Sequence, residues 1–214
     1  MFDEIRNLYW RNVLTRLMKT LSRRGFIPHY AEGAEEARKI ILSLIPEGST
    51  VGVAGSVTIR ELGVVDLLRR EGFKVVEHWI KGVSKEESRK LRLQELLADV
   101  FLSSVNAITL DGRLIAVDGA GNRVAALAFG PRKVIVAVGR NKIVRDLAEG
   151  LWRIKNVAAP MNALRLGLRT PCAESGTCCE CVYPKTICRA TLILEACPSY
   201  TEFHVVLVNR ALGF

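Results

Sequence analysis

The stretch Thr50-Val51-Gly52-Val53-Ala54-Gly55-Ser56-Val57-Thr58 decides how the chain is read. Its apolar, β-branched first half reads as a buried strand. Gly55 to Thr58 then turns the chain into a helix running to about Arg70. A helical pattern precedes it from Ala34 to Ile45 and stops at Pro46-Glu47-Gly48. Beyond it, Phe73 to Glu77 reads as a strand and Lys85 to Phe101 as a long charged amphipathic helix. This alternation predicts an α/β fold, a mostly parallel sheet flanked by helices.

Further outward, Ile5, Leu8, Tyr9, Leu14, Leu17, Met18 and Leu21 recur at helical spacing, with Arg6, Arg11, Arg16, Lys19 and Arg23 mostly on other faces, and the helix ends near Gly25. Its basic face reads as solvated, because no aromatic residues are interleaved as a nucleic-acid surface would require, so nucleic acid is not the expected partner. Downstream, Asn106 to Leu110 and Arg113 to Val117 flank Asp111-Gly112, which predicts a hairpin with a type I′ turn. A short helix is expected from Arg123 to Phe129, a central strand from Lys133 to Val138, a helix from Asn141 to about Asn156, and another from Pro160 to Leu168. Thr170 to Cys188 has no period, and Phe203 to Val208 is a strand able to rejoin the sheet. The cysteine segment, 170–188, is therefore expected as an insertion within one domain spanning 1–214.

With 214 residues, 49% hydrophobic, and mean hydropathy +0.18, the chain has apolar material for a full core and too much for disorder. The excess of 31 basic over 22 acidic residues, +9, favours anionic partners. Asp3 and Glu4 stand where a signal peptide carries base, and no apolar run approaches the roughly 18 residues of a membrane span. A cytoplasmic protein without membrane insertion is expected.

All six cysteines lie between Cys172 and Cys197. A thiol cluster in a reduced compartment reads as a metal site. Cys178 and Cys181 form one C-x2-C pair, Cys172 and Cys188 flank it, Gly176 permits a tight turn, and Pro171 and Pro184 stiffen the approach. Four thiolates with a single knuckle suit an iron–sulfur cluster of the four-iron, four-sulfide kind, whereas zinc usually takes two knuckles. Structural zinc, a redox dithiol and incidental reduced thiols are the alternatives. Cys179 and Cys197 are surplus to the quartet.

Three junctions after predicted strands carry small or anion-friendly residues: Gly55 to Thr58, Gly119 to Arg123, and Gly139 to Lys142. In doubly wound sheets such loops converge outside the carboxyl ends of the strands, so Ser56, Thr58, Asn106, Asp118, Gly119, Gly121, Asn122, Arg123, Asn141 and Lys142 form a candidate pocket for a small anionic metabolite. Arg123 and Lys142 stand in predicted first helical turns, where the macrodipole disfavours cations unless an anion is near. The plainer reading makes Ser56 or Thr58, Asn122 and Asn141 ordinary N-caps and Asp118 a loop cap. His29, His78 and His204 have no evident partners.

Asn106-Ala107-Ile108-Thr109, Asp118 to Val124, Gly130-Pro131 and Gly139 to Val144 resemble the LUD-domain, or lactate-utilisation, family over nearly the whole chain. Thr170-Pro171-Cys172, Gly176-Thr177-Cys178, Cys181 and Ile187-Cys188 are similar to its cysteine-bearing branch. The resemblance implies a fold like the ribose-5-phosphate isomerase and CoA-transferase group, and a part in oxidising lactate or a related small organic acid beside an iron–sulfur or flavin partner subunit. It assigns no catalytic residues. Cys179 adds a thiol within the motif, and no second ferredoxin-like cysteine set follows. The other reading on the same scaffold is a sugar-phosphate isomerase or acyl-transfer-like enzyme with structural zinc, or a ligand-sensing module.

Overall fold

In a computed structural model describing residues 2–214, six parallel strands form a sheet in the order β1-β10-β7-β4-β2-β3. They are β1 (Ile27–Ala31), β2 (Thr50–Val53), β3 (Lys74–Glu77), β4 (Val100–Ser103), β7 (Lys133–Gly139) and β10 (Glu202–Val208). Val134, Val136 and Val138 of β7 face one side of the sheet, Ile135 and Ala137 the other, and both sides are buried. Strands buried on both faces read as continuous apolar runs, as β7 and β10 do.

A second sheet, β8-β5-β6-β9, holds β5 (Ala107–Thr109), β6 (Leu114–Asp118), β8 (Ile143–Val144) and β9 (Ala190–Leu194). Strands β5 and β6 are antiparallel, as the hairpin reading required, but the turn is not type I′. Gly112 donates to the Thr109 carbonyl at 2.8 Å and alone takes positive φ, +87°, while Asp111 does not. Ion pairs from Arg24 and Arg113 to Asp111 and Glu195 pin this turn.

Helices α1 (Phe2–Arg23), α2 (Ala34–Leu44), α3 (Val57–Glu61), α4 (Val64–Arg70), α5 (Lys85–Leu96), α6 (Asn122–Ala128), α7 (Leu147–Arg153), α8 (Ala159–Arg165) and α9 (Pro171–Ser175) complete the architecture. Only the second half of α1 has buried side chains. Leu14, Leu17 and Leu21 are buried, whereas Ile5, Leu8 and Tyr9 are exposed. The expected helix from Thr58 to Arg70 is broken at Gly63, whose φ is +66°. Helix α5 stops at Leu96 rather than Phe101, because Val100 to Ser103 is claimed by a fully buried central strand. β1 and β9, absent from the sequence reading, both lie at sheet edges. The helix expected from Asn141 starts only after Asp146, whose side chain accepts from the Glu149 N–H at 2.9 Å; the turn Arg140–Lys142 and β8 come first. A π turn, Ile154–Ala158, joins α7 to α8. The cysteine segment opens on α9, capped by Thr170 and ended by Gly176 at φ +76°, so it is not irregular from its start.

Two glycines of the opening stretch set the spacing of the site. A Cβ at Gly52 would run into the backbone of Glu95, lying 2.9 Å from its Cα, so α5 packs directly on β2. A Cβ at Gly55 would come within 2.5 Å of the Trp79 indole nitrogen. Only glycine lets both elements close in.

Candidate functional site

A cavity of about 470 Å³ opens at the carboxyl ends of β3, β2, β4 and β7, four neighbours in the sheet. Parallel strands bring their following loops to this one rim. Ser56 and Thr58 follow β2, His78 and Trp79 follow β3, Ser104 follows β4, and Lys142 ends the turn after β7. The second sheet and α6 add Asn106, Asp118, Gly119, Asn122 and Arg123, and the remaining wall is α8 with Thr186 to Arg189. Eight of the ten expected pocket residues line this space. Gly121 and Asn141 do not.

Asn141 does other work. It is not an N-cap: its Oδ1 accepts from the Leu212 N–H at 3.0 Å and its Nδ2 donates to the Gly213 carbonyl at 3.1 Å, fastening the last residues of the chain over the turn. Nor does Asn122 cap α6; Gly121 at φ +90° holds the cap position. Ser56 is the N-cap of α3, accepting from the Ile59 N–H.

Arg123 is held by the protein itself. Its guanidinium donates to the carbonyls of Ser104 at 3.2 Å and Val117 at 2.6 Å and to Asn106 Oδ1 at 2.9 Å. Asp118 accepts the Gly119 and Arg123 N–H groups, both at 2.9 Å, so its carboxylate is a loop cap. A cation near the start of α6 is thus explained by internal acceptors, and Arg123 calls for no external anion. Arg153 does similar work, donating to the Asn141 and Asn106 carbonyls at 2.9 and 2.8 Å.

Lys142 differs from both. Its ammonium is buried, with Nζ 2.8 Å from Thr58 Oγ1 and 3.1 Å from Ser104 Oγ, and among the described residues no carboxylate forms an ion pair with it. Burial first, then the nearby Arg153 and Arg123 charges, push its pKa down to about 7, against a weaker opposing pull from Glu61. An amine so placed is half-deprotonated at neutral pH and has hydrogen-bond partners in either form.

His78 also has a partner, contrary to the sequence reading. Its Nδ1 lies 2.6 Å from Oε1 of the buried Glu95, whose Oε2 is 3.4 Å from Asn122 Nδ2. A carboxylate accepting at Nδ1 fixes the ring and leaves Nε2 as the basic nitrogen. His29 and His204 likewise face each other at 2.9 Å, with His204 Nε2 2.7 Å from Glu202. Beside His78, the Arg165 guanidinium lies 4.4 Å from the Trp79 ring centroid and that of Arg60 5.1 Å from it.

Cys188 lines the cavity. Burial raises its thiol pKa, and Cys172, Cys181 and Cys178 raise it further by their own charge, so the four expected ligands share one neighbourhood. All six thiols are free. Cys172 is buried and 3.2 Å from Thr170 Oγ1, Cys178, Cys181 and Cys188 are half-buried, and Cys179 is exposed. Among the described residues, no three His, Cys, Asp or Glu side chains stand in an arrangement that holds a metal ion. Cys197 lies apart, hydrogen-bonded to the carbonyls of Pro198 and Thr201.

His78 was findable, since it directly follows a predicted strand. Ser104 was not, because the overextended helix to Phe101 hid β4. No helix among the described residues is long and apolar enough to cross a membrane.

Among solved structures, a DUF162 family protein from Deinococcus radiodurans has the same fold at TM-score 0.54 and 17% identity, over 93% of this chain and 97% of that one. The eIF2B delta subunit of Chaetomium thermophilum matches 56% of this chain and 50% of its own at 19% identity and TM-score 0.36. No curated protein matches the sequence. The LUD domain matches residues 14–208, nearly the full length. The chain belongs to the LUD-domain family.

Proposed function

We propose that the protein binds a small organic acid in the cavity and holds an iron–sulfur cluster through Cys172, Cys178, Cys181 and Cys188, acting as a redox or accessory subunit in the oxidation of lactate or a related acid. The observation that carries this reading is the place of Cys188, which lines the cavity and is one of four thiols within seventeen residues of sequence. The donor set fits such a cluster in number and kind, and its four side chains would have to draw together to hold it. A cluster there would supply one-electron transfer, and a partner subunit would be needed to carry electrons onward.

The chain's own residues account for binding. Arg165 and Arg189 give the cavity a cationic lining, and among the described residues neither is in an ion pair with a carboxylate, which suits a carboxylate ligand. Thr58 and Ser104 offer hydroxyls on the same wall. His78, oriented by Glu95, stands ready to take a hydroxyl proton at Nε2.

The test is anaerobic purification followed by iron and sulfide analysis. Brown protein with bound iron and acid-labile sulfide is expected, and Cys172→Ser or Cys188→Ser should lose both while Cys197→Ser keeps them. Colourless protein carrying stoichiometric zinc would overturn the redox reading.

A further inference from the structure

Two features of the cavity are not explained by anion binding. One is a buried lysine with no ion-pair partner among the described residues. The other is a histidine fixed by a buried carboxylate on the wall of the same space. An anion site needs a fixed positive charge, and an arginine serves it better than a lysine buried among hydroxyls and other cations. The surroundings of Lys142 favour the uncharged amine instead. Its two N–H bonds are met by Thr58 Oγ1 and Ser104 Oγ, which leaves the nitrogen lone pair directed elsewhere. Gly213 keeps the chain above it slim, since a Cβ there would press into Thr58 Oγ1 and come within 3.2 Å of Nζ.

We propose that Lys142 is a nucleophile which forms an imine with the carbonyl carbon of a 2-oxo acid bound in the cavity, with His78 carrying the protons between nitrogen and oxygen. This rests on the carboxylate-binding part of the function proposed above, and the 2-oxo acid is what two-electron oxidation of a 2-hydroxy acid yields.

The step balances without any oxidant or cofactor. The Nζ lone pair forms the C–N bond while the carbonyl π pair moves to oxygen. One amine hydrogen is transferred to that oxygen by way of His78 Nε2, giving a carbinolamine. The C–O bond then breaks, and the second amine hydrogen leaves with the hydroxyl as water, so amine plus carbonyl becomes imine plus water and His78 ends unchanged. Glu95 holds the imidazole in the tautomer this needs. The imine in turn makes the carbon next to it acidic, opening proton exchange or carbon–carbon bond chemistry at that position. The amine pKa near 7, caused by burial and by Arg153 and Arg123, matches this role, as in other lysines activated by desolvation and cationic neighbours.

The experiment uses the full chain, pyruvate and sodium borohydride, which reduces an imine to a stable secondary amine readable by intact mass and peptide mapping. One adduct per chain on Lys142 is expected, forming several-fold faster above pH 8 than below pH 6 as the amine titrates near 7. His78→Gln should fold normally and form the adduct about 100-fold more slowly, the usual effect of losing a general acid–base group. Lys142→Gln should give none while keeping the wild-type circular dichroism. Pyruvate binding is measured separately by calorimetry. Binding without a Lys142 adduct, or an adduct spread over surface lysines, overturns this inference and leaves the carboxylate reading intact. No binding of pyruvate, lactate or other small carboxylates overturns both.

Discussion

The two sides of the cavity are built by opposite means. On the sheet side Thr58, Ser104 and Lys142 stand at the ends of strands packed on both faces, and they are 1%, 2% and 4% exposed. On the cysteine side, residues 171–189 contain one short helix, and Cys172 is the only one of them that is fully buried. A wall anchored in a close-packed core holds a polar group where solvation alone would not put it, which is how a lysine stays buried without a carboxylate. A wall of thiols and turns has no such anchor. It is held instead by hydrogen bonds such as those from Thr177 Oγ1 and the Cys178 N–H to Asn156 Oδ1.

The largest expected effect lies on the sheet side. Arg123→Ala strips donors from two carbonyls and the Asn106 side chain, and should lower stability by roughly 3 kcal/mol in urea titration. A loss under about 1 kcal/mol would mean that this wall is held by something else.

Next comes the pH dependence from Lys142. A lysine whose pKa falls from 10.5 to about 7 on folding binds fewer protons in the folded than in the unfolded state across that interval. Stability should therefore rise as pH increases through this window, the unfavourable burial of the charge being fully present below about 7. Lys142→Met should flatten that slope and raise stability at pH 6, as read by thermal melts. An unchanged slope would place the titration on another group.

The smallest effect belongs to the cysteine side. In metal-free protein Cys181→Ser should change the unfolding free energy read by urea titration by no more than about 0.5 kcal/mol, as for a side chain outside the core. A larger drop would show that the segment packs by itself, and the contrast between the two walls would weaken.

Much of the sheet was readable because β2, β3, β7 and β10 are apolar runs bounded by turn residues. The errors are physical in origin. Val100 to Ser103 continues the polarity pattern of α5 closely enough to extend the helix, until burial between β2 and β7 makes it a strand. β1 contains Pro28 and two polar aromatics, His29 and Tyr30, which suit an edge and hide its strand character. The place of Arg123 was not legible either: its acceptors come from Ser104, Asn106 and Val117, none of them adjacent to it in sequence.

Local patterning by itself determined the alternating elements, the hairpin partners and the gathering of six thiols near one end, because periodicity and spacing depend only on near neighbours. Tertiary structure alone decided that Glu95 meets His78, that Lys142 is buried among hydroxyls, and that Cys188 reaches the cavity wall. Each of these depends on desolvation and on pairings between distant segments, and both come into being only once the parallel strands have brought their ends together.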